Sequence, residues 1–232
     1  MQINPFEIYK LLLDYFGPQD WWPIDEDYHR KHKSDPRFEV VVGAILTQNT
    51  AWGNVEKALY NLKNENSLNI KKFLETDIGF LRDMIQPSGF FNQKATRLKN
   101  IAYFLNENYE GDLDKFFDSD LQKIRNELLS LKGVGPETAD SILLYAGNLP
   151  VFVVDAYTKR ICKRIPVNIE KVGYIEIQKY FEKYLQKNLD IKDIVSIYKE
   201  LHALIVELAK NFCTIKPKCT DCPLVNICLK RL

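Results

Sequence analysis

Apolar residues recur along this chain at intervals of three and four, the period of an α-helix rather than of a strand. Ile8, Leu11, Leu12 and Tyr15 fall on one helical face. Asn4-Pro5-Phe6-Glu7 supplies an N-cap, a proline at the first helical position and an acid in the first turn, and Gly17-Pro18 ends the run. Asp35-Pro36 opens a second helix with Phe38, Val41, Val42, Ile45 and Leu46 at helical spacing. The same periodicity predicts helices near residues 51–63, 77–86, 92–107, 119–130, 136–147, 156–164, 173–186 and 191–212, with turns at Pro87-Ser88-Gly89 and Gly111-Asp112. The strongest strand candidate is Val151-Phe152-Val153-Val154. It has no obvious partner in so helical a chain and reads as a buried extended connector. The expected fold class is all-α.

The 232 residues suffice for one large domain or two of about 100 to 120 residues. With 46% hydrophobic residues and no low-complexity tract, the chain is expected to be globular rather than disordered. The N-terminus lacks a basic leader followed by an apolar core, and no segment holds eighteen uninterrupted apolar residues. A soluble cytoplasmic protein without membrane partners is the expectation. Charge is unevenly spread: residues 1–130 hold 16 Lys and Arg against 20 Asp and Glu (net −4), residues 131–232 hold 16 against 11 (net +5). A phosphate-facing surface is therefore expected to draw mainly on the second half.

Cys213, Cys219, Cys222 and Cys228 fall within sixteen residues, with five, two and five residues between successive members. Thiolates at these separations can wrap one small metal site, and spacing leaves two occupants open: a tetrahedral zinc or a four-iron, four-sulfur cluster. Zinc ribbons usually pair two Cys-x2-Cys knuckles, whereas only Cys219 to Cys222 is one, which favours the cluster. Lys210, Lys216, Lys218, Lys230 and Arg231 surround the cysteines and could offer charge to phosphates. Cys162 lies apart and reads as a core residue.

Leu131-Lys132-Gly133-Val134-Gly135-Pro136 joins two predicted helices. Two glycines permit positive φ and close approach, and the amides at the following helix start favour an anion, so a phosphate could dock there; an ordinary tight turn fits the same residues. Asp155 follows the apolar connector and precedes a basic helix, Ala156–Arg164. It reads as an N-cap, and that role is compatible with stabilising a sugar oxocarbenium ion or deprotonating a water. His29, His32 and His202 form no ligand pattern, and His202 reads as a satisfied core or interface residue.

Residues 131–140, Leu-Lys-Gly-Val-Gly-Pro-Glu-Thr-Ala-Asp, followed by Val153-Val154-Asp155, resemble the signature of the helix-hairpin-helix DNA glycosylases typified by endonuclease III, and the cysteines resemble that family's iron-sulfur loop. The resemblance spans about residues 30–230. It implies two helical lobes flanking a DNA-binding cleft: a six-helix domain over 30–136 ending in the hairpin, and a second domain of 1–29 plus 137–232 with a [4Fe-4S] loop at 213–228. It implies Asp155 as catalytic carboxylate, Lys132, Gly133, Val134 and Gly135 as the phosphate-binding hairpin, and double-stranded DNA with a damaged base as partner, met by a monomer. One departure is a first cysteine gap of five residues where endonuclease III usually has six.

A second departure decides the chemistry. Bifunctional members carry a lysine two residues after the second hairpin glycine, and here that residue is Glu137, so no Schiff base can form through it. A monofunctional enzyme with water as nucleophile is implied. Trp21-Trp22-Pro23, residues 43–50 and residues 87–95 resemble the 3-methyladenine DNA glycosylase III group. Alkylated purines are electron-poor, so Trp21, Trp22 and Trp52 are candidates for a stacking pocket with Glu137 beside it, although adjacent tryptophans near a proline also suit a packed corner. Gln48 resembles the residue that fills the gap left by a flipped base, with Asn49 beside it as a further DNA-binding candidate; alone the Gln-Asn pair would read as a polar helix end. The competing readings are an endonuclease III-type glycosylase and lyase acting on oxidised pyrimidines, opposed by Glu137, and a non-catalytic DNA-binding iron-sulfur protein, opposed by Asp155.

Overall fold

The computed structural model describes residues 3–165, 167, 173–186 and 191–229, and among them every regular element is helical. Two compact units divide the chain. One joins Met1–Trp21 to Asn148–Leu232, and the other is the uninterrupted stretch Trp22–Gly147. No helix of the described residues is long and apolar enough to cross a membrane.

The first unit opens with α1 (Pro5–Phe16). The second contains α2 (Glu26–His32), α3 (Pro36–Leu46), α4 (Trp52–Asn64), α5 (Ile70–Glu75), α6 (Ile78–Ile85), α7 (Phe91–Tyr109), α8 (Leu113–Phe117), α9 (Leu121–Ser130) and α10 (Pro136–Ser141), the last widening into a π-type turn over Ile142–Ala146. The first unit is completed by α11 (Ala156–Arg164), α12 (Tyr174–Leu185) and α13 (Ile191–Asn211). The short helices α2, α5 and α8 escape the periodicity argument because each spans two turns or fewer. They form because Asp25, Asn69 and Asp112 accept hydrogen bonds from the first free amides of each.

The continuous unit is built round α3, whose Phe38, Val40, Val41, Val42, Ala44, Ile45 and Leu46 are all buried. A helix apolar on every side can only be central. The π-type turn at Ile142–Ala146 packs on it, so residues 137–147 cluster with this unit, and the change of unit falls at 147–148 rather than at the expected 136–137. In the other unit α1 packs on α12 and α13, and α11 packs on α13. Residues 151–154 run buried and without regular structure in this unit. No second strand is needed, because α12 supplies side-chain partners to the backbone. Phe152 donates its amide to Glu182 at 3.0 Å and accepts at its carbonyl from Gln178 at 2.8 Å, while its ring stacks on Phe181 with centroids 4.4 Å apart.

Candidate active site

The helices flanking the hairpin are bolted together by a buried, two-pronged ion pair. Arg125 of α9 donates Nε to Oδ1 of Asp140 at 2.7 Å and Nη2 to Oδ2 at 3.0 Å, with Asp140 fully buried. Between them the Val134 amide bonds back to the Leu131 carbonyl, and Gly133 takes φ +90°. Positive φ is thus used once, at Gly133; Gly135 is extended at φ −97°, and a Cβ placed there would meet nothing within 4 Å. Its part is to start α10 with its approach open. Lys132 and Glu137 are exposed, Glu137 in the first turn of α10, while Val134 is buried and anchors the turn.

The loop after α3 meets this hairpin. Asn49 adopts φ +53°, a conformation asparagine tolerates better than most residues, and so ends the helix. Gln48 donates from Nε2 to the Gly133 carbonyl and to Thr138 Oγ1, both at 3.0 Å, and its Oε1 accepts from Arg97 Nη1. The loop is fixed from below by Lys94, a buried lysine whose Nζ donates to the carbonyls of Leu46 at 2.8 Å and Ser88 at 2.7 Å. Desolvation by this burial pushes the Lys94 ammonium down to about 8. Thr50 donates to the same Ser88 carbonyl at 2.6 Å. The turn held in this way ends at Phe90, which is 64% exposed with φ +47°. A large apolar ring in the left-handed region, turned to solvent, is costly in two ways, and sequence periodicity does not reveal it.

Of the three tryptophans, the structure brings Trp22 and Trp52 together edge to face, centroids 5.3 Å apart, and adds Tyr145 at 5.4 Å from Trp22. A Cβ on Gly43 of α3 would lie 2.8 Å from the Trp22 ring, so glycine is what lets that indole lie against the helix. Trp21 falls in the other unit.

In that unit Asp155 is the N-cap of α11, as its sequence position predicts. Its Oδ1 accepts from the Thr158 amide at 2.6 Å and the Thr158 hydroxyl at 2.8 Å, and the residue is only 9% exposed. Its Oδ2 lies 3.8 Å from Nε2 of His202 on α13. Burial holds the His202 imidazole below its ordinary range, against the opposing pull of the Asp155 carboxylate, so the ring is neutral at physiological pH. Sequence placed His202 in the core without a role; its neighbour is visible only once α11 and α13 pack.

The four cysteines after α13 line one cavity with Phe212, Pro217 and Arg164. Burial, and then its three sister thiols, push the Cys222 thiol up. The basic helix α11 turns its arginines onto this loop. Arg160 donates to the carbonyls of Cys213 at 2.7 Å and Ala209 at 3.2 Å. Arg164 donates to the carbonyls of Thr214 at 2.7 Å and Ile215 at 3.2 Å, and to the Cys213 sulfur at 3.2 Å. Lys230 and Arg231 lie outside the described residues. No group of three or more His, Cys, Asp or Glu among the described residues is set to hold a single metal ion. Cys162 is core, buried with its thiol pushed up to about 12.

The described residues thus hold a two-glycine hairpin between bolted helices, a helix-capping buried carboxylate and a cysteine loop after the last helix. Comparison with known proteins sharpens this. The model of the HhH-GPD superfamily of base excision DNA repair proteins matches residues 42–187, and the chain belongs to that superfamily and is a DNA repair glycosylase. It is 51% identical, over the whole of both chains, to a Methanocaldococcus jannaschii protein provisionally named as a DNA repair glycosylase. It is 27% identical to endonuclease III of Sulfolobus acidocaldarius over 82% of this chain and 81% of that one. Among solved structures, the 3-methyladenine DNA glycosylase of H. pylori, bound to 1,N6-ethenoadenine, is similar with TM-score 0.72 and 31% identity, over 90% of this chain and 98% of that one. The endonuclease III of a non-covalent DNA complex shares the fold at TM-score 0.67 and 19% identity, over 99% and 97% of the two chains.

Proposed function

We propose that this glycosylase is monofunctional: it removes an alkylated purine such as 3-methyladenine from duplex DNA by hydrolysis, with Asp155 as the catalytic carboxylate. The observation that carries the hydrolytic reading is Glu137. A carboxylate stands two residues beyond Gly135, where an amine would be needed to attack the sugar. The 31% identity to a 3-methyladenine DNA glycosylase supports the alkylpurine class.

In this reading the hairpin amides and Lys132 take a backbone phosphate and set the register of the duplex. Gln48 occupies the gap beside the displaced nucleotide with Asn49 next to it, and the rings of Trp22 and Trp52 stack on the extruded, electron-poor base. The bond between C1′ and the base nitrogen breaks with its electron pair leaving on the base, and an electron-poor alkylated purine accepts that pair readily. Asp155 faces the oxocarbenium ion that remains, and a water adds to C1′ as its proton passes to the carboxylate. Thr158 holds Oδ1 with two hydrogen bonds, fixing the direction of Oδ2.

Cys213, Cys219, Cys222 and Cys228 would hold a [4Fe-4S] cluster, to which their shared cavity and the Arg164 donor at Cys213 are suited. Bound there, the cluster would shape the loop that Arg160 and Arg164 brace.

The test is release of methylpurine from methylated duplex DNA by wild type and Asp155→Asn, with nicks scored before and after alkali. Wild type is expected to release base and to leave nicks only after alkali. Asparagine keeps the helix cap, so Asp155→Asn should melt like wild type while losing at least about a hundredfold in rate. Nicks without alkali, together with a borohydride-trapped adduct on abasic DNA, would establish a lyase instead.

A further inference from the structure

Beside the hairpin, within the continuous unit, lies a groove of about 610 Å³ lined by Arg82, Asn92, Gln93, Thr96, Arg97, Asn100, Lys132 and Gly133. Three of these residues are cations, four are neutral polar residues, and none is a carboxylate. Two of the cations, Arg82 and Arg97, come from the half of the chain with an acidic surplus, and Lys132 comes from the basic half. We propose that this groove is a second phosphodiester-binding site, continuous with the hairpin, and that Arg97 couples it to Gln48. The proposal rests on the glycosylase reading, since it assigns the groove to the backbone of the same duplex.

Three observations carry it. Arg97 and the hairpin pack together: the arginine stem lies across the turn, where a Cβ on Gly133 would stand 2.7 Å from Cδ of Arg97 and 2.9 Å from its Cγ. The guanidinium so placed spends its donors on neutral amides, Gln48 Oε1 and, at 3.2 Å, Gln93 Oε1. Arg82 Nε is buried and, among the described residues, has no hydrogen-bond partner. Cations gathered without carboxylates are under mutual repulsion, which an anion relieves, and a hydrogen bond from guanidinium to phosphate is roughly twice as strong as one between neutral groups. A phosphodiester is the anion that fits, because Lys132 and Gly133 line the groove as well as the hairpin, and a phosphate on the turn brings the next phosphates of its strand alongside.

Arg97 gives the groove a second consequence. In the free protein it pins Gln48 by Oε1 while Gln48 Nε2 is bonded to the hairpin and Thr138. A phosphate that captures Arg97 removes the Oε1 bond, and Gln48 becomes easier to extend when the strand is seated. Backbone docking and gap filling are thereby linked through one guanidinium.

The experiment is fluorescence anisotropy of a labelled, undamaged duplex titrated with protein across a range of salt, for wild type, Arg82→Gln, Arg97→Gln and the exposed control Lys57→Gln, each checked by thermal melting. Each groove variant is expected to lower the slope of log affinity against log salt by about 0.9, and the control to leave it unchanged. Equal slopes in wild type, both groove variants and the control would overturn the groove while leaving the glycosylase reading intact. If Arg97→Gln melts early because its stem supports Gly133, Arg82→Gln decides alone. Absence of salt-dependent duplex binding in wild type would overturn the groove and the reading beneath it together.

Discussion

The hairpin at 131–135 and the cysteine loop at 213–228 are both short irregular segments at the end of a helix, and they are secured in opposite ways. The hairpin is held by its own surroundings: a buried two-pronged ion pair ties α9 to α10, Val134 plugs the turn, and Arg97 covers Gly133. The cysteine loop has almost no core of its own. Ile215 is 86% exposed and Leu229 is exposed too, and Leu224 is its buried aliphatic anchor. What orders it is a pair of arginines donating to backbone carbonyls and four thiols facing one cavity. In the function proposed above, a turn that presents amides to a phosphate has to be rigid before the ligand arrives, whereas a loop built round a bound cluster can leave that group to do the ordering.

That contrast can be broken from either side. With the proposed cluster in place, the largest effect is expected from Cys219→Ala with Cys222→Ala: complete loss of protein-bound iron, and protease cleavage within 213–228, with amide exchange in the hairpin unchanged. Next, Arg125→Ala strips Asp140 of its bidentate partner in a dry site and should cost about 3 to 5 kcal/mol, read from denaturant melts, leaving iron content as in wild type. If Arg125→Ala instead released the iron, the two segments would not be independent. The smallest effect is one of pH. Because burial depresses Lys94 to about 8 from the ordinary 10.5, the unfolded chain holds a proton between those values that the folded chain has given up. Stability should therefore rise with pH through that window, while the neutral amine still donates to Leu46 and Ser88. Lys94→Met, followed by melting from pH 7.5 to 10.5, should abolish the rise.

Most of the helical architecture was legible in the sequence because long amphipathic helices announce themselves twice, by period and by cap. α1, α3, α7 and α13 lie close to where periodicity puts them, and the connector at 151–154 is buried as read. The short helices α2, α5 and α8 were not legible, since their evidence is a single capping side chain. At the site, the hairpin, the capping role of Asp155 and the cysteine cluster rest on residues adjacent in sequence and could be read directly. His202, Arg97, Arg160, Arg164 and Tyr145 could not. Each works through a partner tens of residues away, as Arg97 does with Gln48 and Arg164 with Thr214. The sequence showed α11 to be basic, and the structure shows that Arg160 and Arg164 point their donors at the protein's own carbonyls.

One feature of the architecture governs how the molecule comes into being. Trp22–Gly147 is a single uninterrupted run, whereas α1 belongs with helices that begin more than a hundred residues later. On the ribosome the hairpin unit can close on itself while the tail is still unmade, but α1 must wait for α13, a delay on the order of ten seconds at ordinary elongation rates. Its buried Ile8 and Leu12 stay wet throughout that interval. A nascent chain stalled after Gly147 should thus carry a folded hairpin and an apolar leading helix in search of a surface, the form of the protein most in need of a chaperone.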